Sequence, residues 1–399
     1  MLKRSACSLL VAILCVILPF VSSRGRAEPP KRPDGNSAAP TPRANSDVSD
    51  ARFARLRHGI NLSHWFAQSP NNDYSKAHLE THTNERDIAL IKAMGFDHVR
   101  FTVEPAPLFD ESNPGELNAD YLRLFDNALD MILAQKLAVI VDIHPSDEFK
   151  LKLNKDDHHV EALAKFWRAL AEHLSRRDPE RVFLEVLNEP MVEDGYRWYG
   201  IQEKLIAAIR AGAPRHTIIA SGHRWSGINE LLFLEPYADR NVIYNFHFYE
   251  PFVFTHQGAT WAGPRLPLYK NVPYPSSVES VSRLLDAITD EQARRDLAYY
   301  GEQHWDRARI DKEISAAVAW VEKYHVRLTC NEFGAFRKVS PPHARAAYLL
   351  DVRSVLEKYN VGWTMWDYGG GFSVVNKQNG LARPDAETVR ALGLRLQSE

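Results

Sequence analysis

Two glutamates near the ends of apolar runs are the residues in this sequence best suited to chemistry. Glu189 lies in the run 182–190 (VFLEVLNEP), and Glu332 lies in the run 326–334 (VRLTCNEFG). An apolar run of this length, bounded by a breaker, is typical of a strand buried on both faces. A carboxylate at the exit of such a strand is costly unless the strand opens onto a polar site. The two runs therefore predict a carboxylate pair at one rim of a parallel barrel, an arrangement that can hydrolyse glycosidic bonds.

Other predicted strand ends also carry hydrogen-bonding or aromatic side chains. These residues are His64, Trp65, Arg100, His144, Asn188, Trp225, His247, Tyr249 and Trp366. One histidine at a strand end is most often an ordinary core residue. A whole set of such side chains exceeds what a structural barrel needs, and the carboxyl ends of barrel strands are where catalytic groups lie. The set therefore predicts a site.

The elements that would position these residues alternate regularly along the chain. The predicted strands are 58–62, 98–103, 138–143, 182–187, 217–221, 242–247, 327–331 and 362–366. Helix-like segments between them include 85–94, 119–135, 160–175, 200–211 and 310–324. Such alternation predicts a parallel sheet, and eight units in one domain predict the α/β class and a (β/α)8 TIM barrel. The longer interval 251–309 carries several Trp and Tyr residues, and we interpret it as an extended loop after the sixth strand that walls the cleft.

Composition and net charge argue against a nucleic-acid-binding protein. The chain has 399 residues, a formal net charge of -2 and 25% charged residues, as expected of a globular protein. Because no basic excess is present, we expect no nucleic-acid partner. The nine Trp and fifteen Tyr suit sugar stacking, although they equally suit a large core.

The amino-terminal residues have the pattern that is typical of an export signal. Lys3 and Arg4 precede the apolar run 8–20, which is too short to span a membrane comfortably. We expect residues 1–27 to be a signal peptide, 28–50 a disordered linker rich in Pro, Ser and Ala, and 51–399 the catalytic barrel. The alternatives are an uncleaved signal anchor and a lipoprotein.

The cysteines are consistent with this division. Cys7 and Cys15 would leave with the signal peptide, and Leu14 before Cys15 disfavours the lipoprotein reading. The mature chain would then hold Cys330 without an internal disulfide, and we expect Cys330 to be a buried core thiol. We expect a secreted or periplasmic protein, a monomer, with no stable membrane association after cleavage.

The strand-end motifs resemble glycoside hydrolase family 5, a family of retaining (β/α)8 hydrolases. The resemblance spans about 57–372. The matching motifs are Asn188-Glu189-Pro190, Glu332 before Phe333-Gly334, Arg100, His144, His247-Phe248-Tyr249 and Trp366. The segment 247–261, with His256 and Trp261, resembles bacterial endoglucanases of this family in particular.

The resemblance implies roles for these residues. Glu332 would be the nucleophile, Glu189 the acid and base, and Asn188 the partner of the sugar 2-hydroxyl. Substrate-binding roles are implied for Arg100, His144, His247, Tyr249, Trp366, His64, His256 and Trp261. The expected substrate is a β-1,4-glucan, and no metal or other cofactor is expected.

The sequence is also compatible with other functions. One is a hydrolase of the same family that acts on another β-glucan, on mannan or on an exopolysaccharide. Pro145 follows His144 where some relatives have a second histidine, which weakens an inference to mannan. A catalytically inactive sugar-binding barrel is disfavoured by the intact carboxylate pair, and a metal-dependent barrel enzyme lacks the required ligand sets.

Overall fold

Eight parallel strands close into a barrel in which each strand pairs with the next along the chain and β8 pairs with β1. The computed structural model describes residues 47–395. The barrel strands are β1 His58–Leu62, β2 His98–Val103, β3 Ala138–Ile143, β4 Val182–Glu185, β5 Thr217–Ser221, β6 Val242–Phe248, β7 Arg327–Phe333 and β8 Gly362–Met365. A small antiparallel hairpin, β9 Val375–Gln378 and β10 Leu381–Pro384, follows the barrel. The predicted TIM barrel is confirmed.

Helices lie between the strands and cover the barrel. They are α1 Asp50–Phe53, α2 Lys76–Thr81, α3 Glu85–Met94, α4 Ala119–Ala134, α5 Asp147–Lys152, α6 Asp157–Leu174, α7 Gly195–Gly212, α8 Ile228–Leu232, α9 Phe252–Thr255, α10 Val278–Leu285, α11 Glu291–Glu302, α12 Arg307–Tyr324, α13 Pro342–Lys358 and α14 Ala386–Ala391. Side-chain caps set many of their starts. For example, Asn84 and Asp87 form a capping box at the start of α3, and Gly95 ends that helix with φ 98°. Among the described residues, no helix is both long enough and apolar enough to cross a membrane.

The barrel interior has an apolar layer near the amino ends of the strands. Ala138, Ile140, Phe183, Ile219 and Ile243 form this layer. The segment 47–57 closes the layer from below, with Val48 only 1% exposed and Phe53 and Leu56 packed beside it. Residues 47–50, which the sequence placed at the end of the linker, are therefore packed on the barrel. The predicted signal peptide and the linker up to residue 46 lie outside the described residues.

A polar layer fills the interior nearer the carboxyl ends. Its members are Asn61, Arg100, Asp142, Glu185, Asn245 and Asn331, all essentially inaccessible to water. Since successive strand residues point to opposite faces, one residue of each pair in an apolar-looking run faces inward. The apolar layer below and the polar layer above place the site at the carboxyl-end face.

The long interval after β6 is more ordered than the sequence suggested. It contains α9, α10 and α11 rather than one irregular loop. Most of its aromatic residues are buried, namely Tyr269, Tyr274, Tyr300 and Trp305. Trp261 and Tyr299 are exposed. The interval therefore forms a small packed layer of its own, and most of its rings are not available to line a cleft.

Two further features bear on stability. His58, at the start of β1, has its Nδ1 3.2 Å from Asp97 and its Nε2 3.5 Å from Glu357. These two carboxylates raise the pKa of His58 to about 9.

Cys330 is fully buried, as predicted, and its Sγ lies 3.3 Å from the carbonyl oxygen of Glu332.

Candidate active site

Glu332 reaches the carboxyl-end face through an irregularity in β7. The pairing register between β6 and β7 shifts so that Phe246 faces Cys330 while the next residue, His247, faces Glu332. Asn331 is the extra residue of this bulge, and a bulge re-aims the side chains around it. As a result, Asn331 bonds within the barrel interior while its neighbour Glu332 also faces the site, although successive strand residues normally alternate.

Two donors hold the Glu332 carboxylate. Arg100 donates through Nη1 to Oε1 at 2.7 Å, and the Tyr249 hydroxyl donates to Oε2 at 2.9 Å. Nδ1 of His247 lies 3.6 Å from Oε2. Glu332 is 4% exposed, so its charge depends on these groups rather than on water.

Glu189 lies opposite, four residues beyond the last residue of β4. Its φ is 42°, a left-handed conformation that costs about 1–3 kcal/mol for a residue other than glycine. Its Oε1 lies 2.9 Å from Nδ1 of His247. One oxygen of Glu189, one oxygen of Glu332 and a nitrogen of His247 all lie within 4.8 Å of one another. The predicted carboxylate pair is therefore present.

Burial and proximity determine how this pair ionises. Burial raises the pKa of both carboxyl groups, and the charge of each further resists ionisation of the other. Arg100 and Tyr249 contact Glu332 and not Glu189. We therefore assign the negative charge to Glu332 and the shared proton to Glu189. Burial lowers the pKa of His247 to about 4, so its ring is neutral.

Arg100 is the centre of the polar layer. Its Nε and Nη2 donate to Glu185 at 2.9 and 2.8 Å, which makes a two-pronged ion pair. It also donates to Asn61 at 3.0 Å and to Asn188 at 2.9 Å, and its Nη2 lies 3.0 Å from Asp142. These contacts fix the guanidinium so that Nη1 points at Oε1 of Glu332.

His144 and Asn188 extend the same network toward the cleft. The amide nitrogen of Asn188 lies 3.1 Å from Nε2 of His144, and Nδ1 of His144 lies 2.9 Å from Asp142. The indole of Trp366 stacks on the His144 ring at 5.6 Å with an interplanar angle of 20°. Eight predicted site residues are thus brought together: Arg100, His144, Asn188, Glu189, His247, Tyr249, Glu332 and Trp366.

The remaining predicted residues lie around this centre. Nε2 of His64 lies 4.0 Å from the buried carboxylate of Asp367, at the rim. His256 lies behind Tyr249, with ring centres 5.0 Å apart, and is only 7% exposed. Trp261 is 63% exposed and packs edge-on against Phe336.

Trp65 and Trp225, the two other tryptophans of the predicted strand-end set, differ. Trp65 is 1% exposed, and its indole N–H donates to the carbonyl of Leu79 at 2.7 Å, so Trp65 is a core residue and not part of the site. Trp225 is 40% exposed, and its backbone N–H donates to the carbonyl of Pro190, next to Glu189, at 3.1 Å.

Comparison with known proteins identifies the family. The family model described as Cellulase (glycosyl hydrolase family 5) matches residues 60–371. The chain belongs to glycosyl hydrolase family 5. This hydrolase is 29% identical over 317 residues to Endoglucanase C of Acetivibrio thermocellus, with 78% of this chain and 90% of that protein covered.

Two further comparisons extend this result. The hydrolase is 29% identical over 291 residues to Cellodextrinase A of Ruminococcus flavefaciens, with 71% of this chain and 76% of that protein covered. Endoglucanase Cel5A from Thermotoga maritima has the same fold, with a TM-score of 0.71 at 24% identity over 86% of this chain and 99% of that one.

The structure of the hydrolase adds residues that sequence reasoning missed. Asp142 and Glu185 contact Arg100 directly, and Asn245 and Asn331 donate to Glu185 at 3.3 and 2.7 Å. Polar residues inside apolar runs, such as Asp142 in AVIVDI, were the available signal. Among the described residues, the group with metal-ligand chemistry is Glu189, His247 and Glu332 itself, in which Nδ1 of His247 already lies 2.9 Å from Glu189 and 3.6 Å from Glu332.

Proposed function

We propose that this hydrolase cleaves β-1,4-glucan internally, by a double displacement that retains the anomeric configuration. The observation that carries the proposal is the short distance, within 4.8 Å, between an oxygen of Glu189 and an oxygen of Glu332. Carboxyl groups about 5–5.5 Å apart are typical of retaining enzymes, whereas inverting enzymes need about 6.5–9.5 Å to admit a water.

In the first step an oxygen of Glu332 attacks the anomeric carbon of the bound sugar. The bond from that carbon to the leaving oxygen breaks, and the proton on Glu189 moves to the leaving oxygen. Arg100 and Tyr249 keep Glu332 ionised before the attack, and proximity to this charge keeps Glu189 protonated. The products are a glycosyl ester on Glu332 and a released chain.

In the second step Glu189 acts as a base. The ester removes the charge on Glu332, so Glu189, which gave its proton to the leaving oxygen, stays ionised and accepts a proton from an attacking water. The water oxygen bonds to the anomeric carbon, the ester bond breaks, and Glu332 leaves as a carboxylate. The second attack restores the original configuration.

The relatives support the substrate class. One curated relative is called an endoglucanase and another a cellodextrinase. Internal cleavage of long glucan is our first choice, and cleavage of short cello-oligosaccharides is the second candidate. Both predict β-1,4-linked glucose, and they differ in the length of chain attacked.

The stereochemistry decides the mechanism. We expect ¹H NMR of cellopentaose hydrolysis to show the β-anomer first. An initial α-anomer would refute the retaining proposal. Glu332→Ala should be inactive on every substrate, whereas Glu189→Ala should keep more activity on aryl glycosides with good leaving groups. If azide rescues Glu189→Ala with an inverted product, the two roles are reversed.

The length of chain attacked is decided by viscosity. With carboxymethylcellulose, we expect viscosity to fall much faster than reducing ends appear. Release of small sugars with nearly unchanged viscosity would favour the second candidate. Turnover of mannan equal to or above that of soluble β-1,4-glucan would show that the substrate assignment is wrong.

We also propose that the protein is exported to the periplasm or the medium and acts as a monomer. Export is supported by Lys3 and Arg4 before the apolar run 8–20. Amino-terminal sequencing of the protein recovered outside the cytoplasm should find a start near residue 28. Light scattering of the same material should give the mass of one chain.

A further inference from the structure

Four side chains next to the carboxylate pair form a closed ring of polar contacts. Nη2 of Arg100 donates to Oδ1 of Asn188 at 2.9 Å, and Nδ2 of Asn188 lies 3.1 Å from Nε2 of His144. Nδ1 of His144 lies 2.9 Å from Oδ2 of Asp142, and that same oxygen lies 3.0 Å from Nη2 of Arg100. All four residues are buried, with exposed fractions of 5% or less.

The direction of every hydrogen bond in the ring is determined by its two ends. Arg100 can only donate. Burial raises the pKa of Asp142 to about 7, but the Arg100 guanidinium, 3.0 Å from Oδ2, favours its ionised form, which can only accept. Burial and the charge of Arg100 hold the pKa of His144 well below 6.5, so the His144 imidazole is neutral and carries one N–H. That N–H must be on Nδ1, facing Asp142, because Nε2 has to accept from the Asn188 amide.

The amide of Asn188 is thereby oriented. Its oxygen faces Arg100, and one of its two N–H groups faces His144. None of the hydrogen bonds described for the chain uses the second N–H. Asn188 directly precedes Glu189, so this free donor lies beside the reacting centre.

We propose that Asp142 is a positioning residue for the reaction: through His144 it holds the Asn188 amide so that its free N–H meets the sugar 2-hydroxyl at the cleavage point. This inference rests on the proposed function. Without Asp142, the buried Nδ1–H of His144 has no acceptor, and the other tautomer would set an N–H against the Asn188 amide. Either state weakens the contact that fixes the amide nitrogen of Asn188, while Arg100 keeps its bond to the amide oxygen and its two bonds to Glu185.

The test compares two substrates that differ at one atom. 2,4-Dinitrophenyl β-cellobioside and its analogue lacking the 2-hydroxyl at the cleaved glucose are each measured with wild type and Asp142→Ala. Since an unsatisfied buried donor costs about 1–3 kcal/mol, we expect kcat/KM for the hydroxylated substrate to fall about fivefold to 160-fold. The deoxy analogue makes no such contact and should lose far less.

The ratio of the two substrates separates positioning from general damage. A fall of about threefold or more in the ratio of hydroxylated to deoxy kcat/KM supports the proposal, and a smaller change overturns it. Asp142→Asn is the matched control, because its amide oxygen can still accept from Nδ1–H of His144. It should keep the wild-type ratio, and a ratio as low as that of Asp142→Ala would overturn the hydrogen-bond argument.

A measurement without substrate decides the same point if Asp142→Ala does not fold. ¹⁵N NMR of the intact wild-type protein should show the His144 ring neutral, with the proton on Nδ1. A proton on Nε2 would overturn the proposal. Failure of the wild type to cleave the hydroxylated glycoside would instead count against the proposed function, and the NMR result would still decide the orientation of the ring.

Discussion

The Tyr249 hydroxyl offers a direct measure of what holds Glu332 ionised. Tyr249→Phe removes the donor 2.9 Å from Oε2 of Glu332 and keeps the aromatic ring, which packs in a small cluster with Phe336, Trp366 and Phe372. A hydrogen bond to a charged group is worth about 1.5–3 kcal/mol, and one pKa unit corresponds to about 1.36 kcal/mol. The pKa of Glu332 should therefore rise by about one to two units in this variant.

The sign of the change in activity follows from the role of the carboxylate. In the proposed mechanism Glu332 must be ionised to attack, so the acid limb of the kcat/KM profile should move to higher pH by about one to two units. Below that limb the variant should lose about tenfold to a hundredfold in rate, and the loss should shrink as the pH rises. Profiles on an aryl β-cellobioside between about pH 4 and 9 would measure this.

Tyr368→Phe is the matched control. The hydroxyl of Tyr368 also donates to a buried carboxylate, that of Asp87, at 2.9 Å, away from the carboxylate pair. Its loss should lower stability without moving the acid limb. If Tyr249→Phe lost the same factor at every pH, or if both variants moved the limb equally, the assignment of the charge to Glu332 would be wrong.

Three other predictions concern stability. In Gly59→Ala, the new Cβ would lie 2.0 Å from Nε2 of the buried His98, so urea unfolding should show that the free energy of unfolding falls by about 1–3 kcal/mol. Gly115→Ala is the control and should be near neutral, because no atom lies within 4 Å of its new Cβ. Phe53→Ala removes a side chain from the floor of the barrel and should cost about 3–5 kcal/mol with kcat unchanged in the folded enzyme; a changed kcat would contradict the two-layer description. The pKa of His58 is raised to about 9 by its two carboxylate neighbours, which should stabilise the folded protein by less than about 1 kcal/mol because the ring is partly exposed. This stabilisation should be complete below about pH 6.5 and disappear as the pH rises through about 9. A difference in unfolding free energy between wild type and His58→Ala that grew with pH would contradict this.

The sequence was sufficient to predict the strands, their order and the residues at their exits. Alternation of apolar runs and amphipathic segments depends only on local pattern, and the motifs around Glu189 and Glu332 lie where strands must end. The eight residues at the centre of the site were found in this way.

The polar interior was not found, although Asp142 and Glu185 stand out as carboxylates within apolar runs. Their position side by side becomes clear only when the register of β3 and β4 is known, because a strand buried on both faces does not show which residues face inward. Trp65 failed for a related reason: beyond the last residue of β1 its side chain turns into the core rather than toward the cleft. The long interval after β6 was misread because α10 has only eight residues and the sequence of α11, EQARRDLAYYGE, is too polar to show a clear apolar stripe.

The first and last described residues both lie at the amino-end face of the barrel, opposite the site. Residues 47–57 close the amino end of the barrel, and the backbone N–H of Arg395 donates to the carbonyl of Met94, at the end of α3, at 2.9 Å. Helices that follow parallel strands run back toward the amino ends, so this contact also lies on the face opposite the cleft. A tag, a solid support or a fused domain attached at either end would therefore leave the entrance unobstructed. A long polymer such as a glucan chain could then lie across the free face without meeting the attachment.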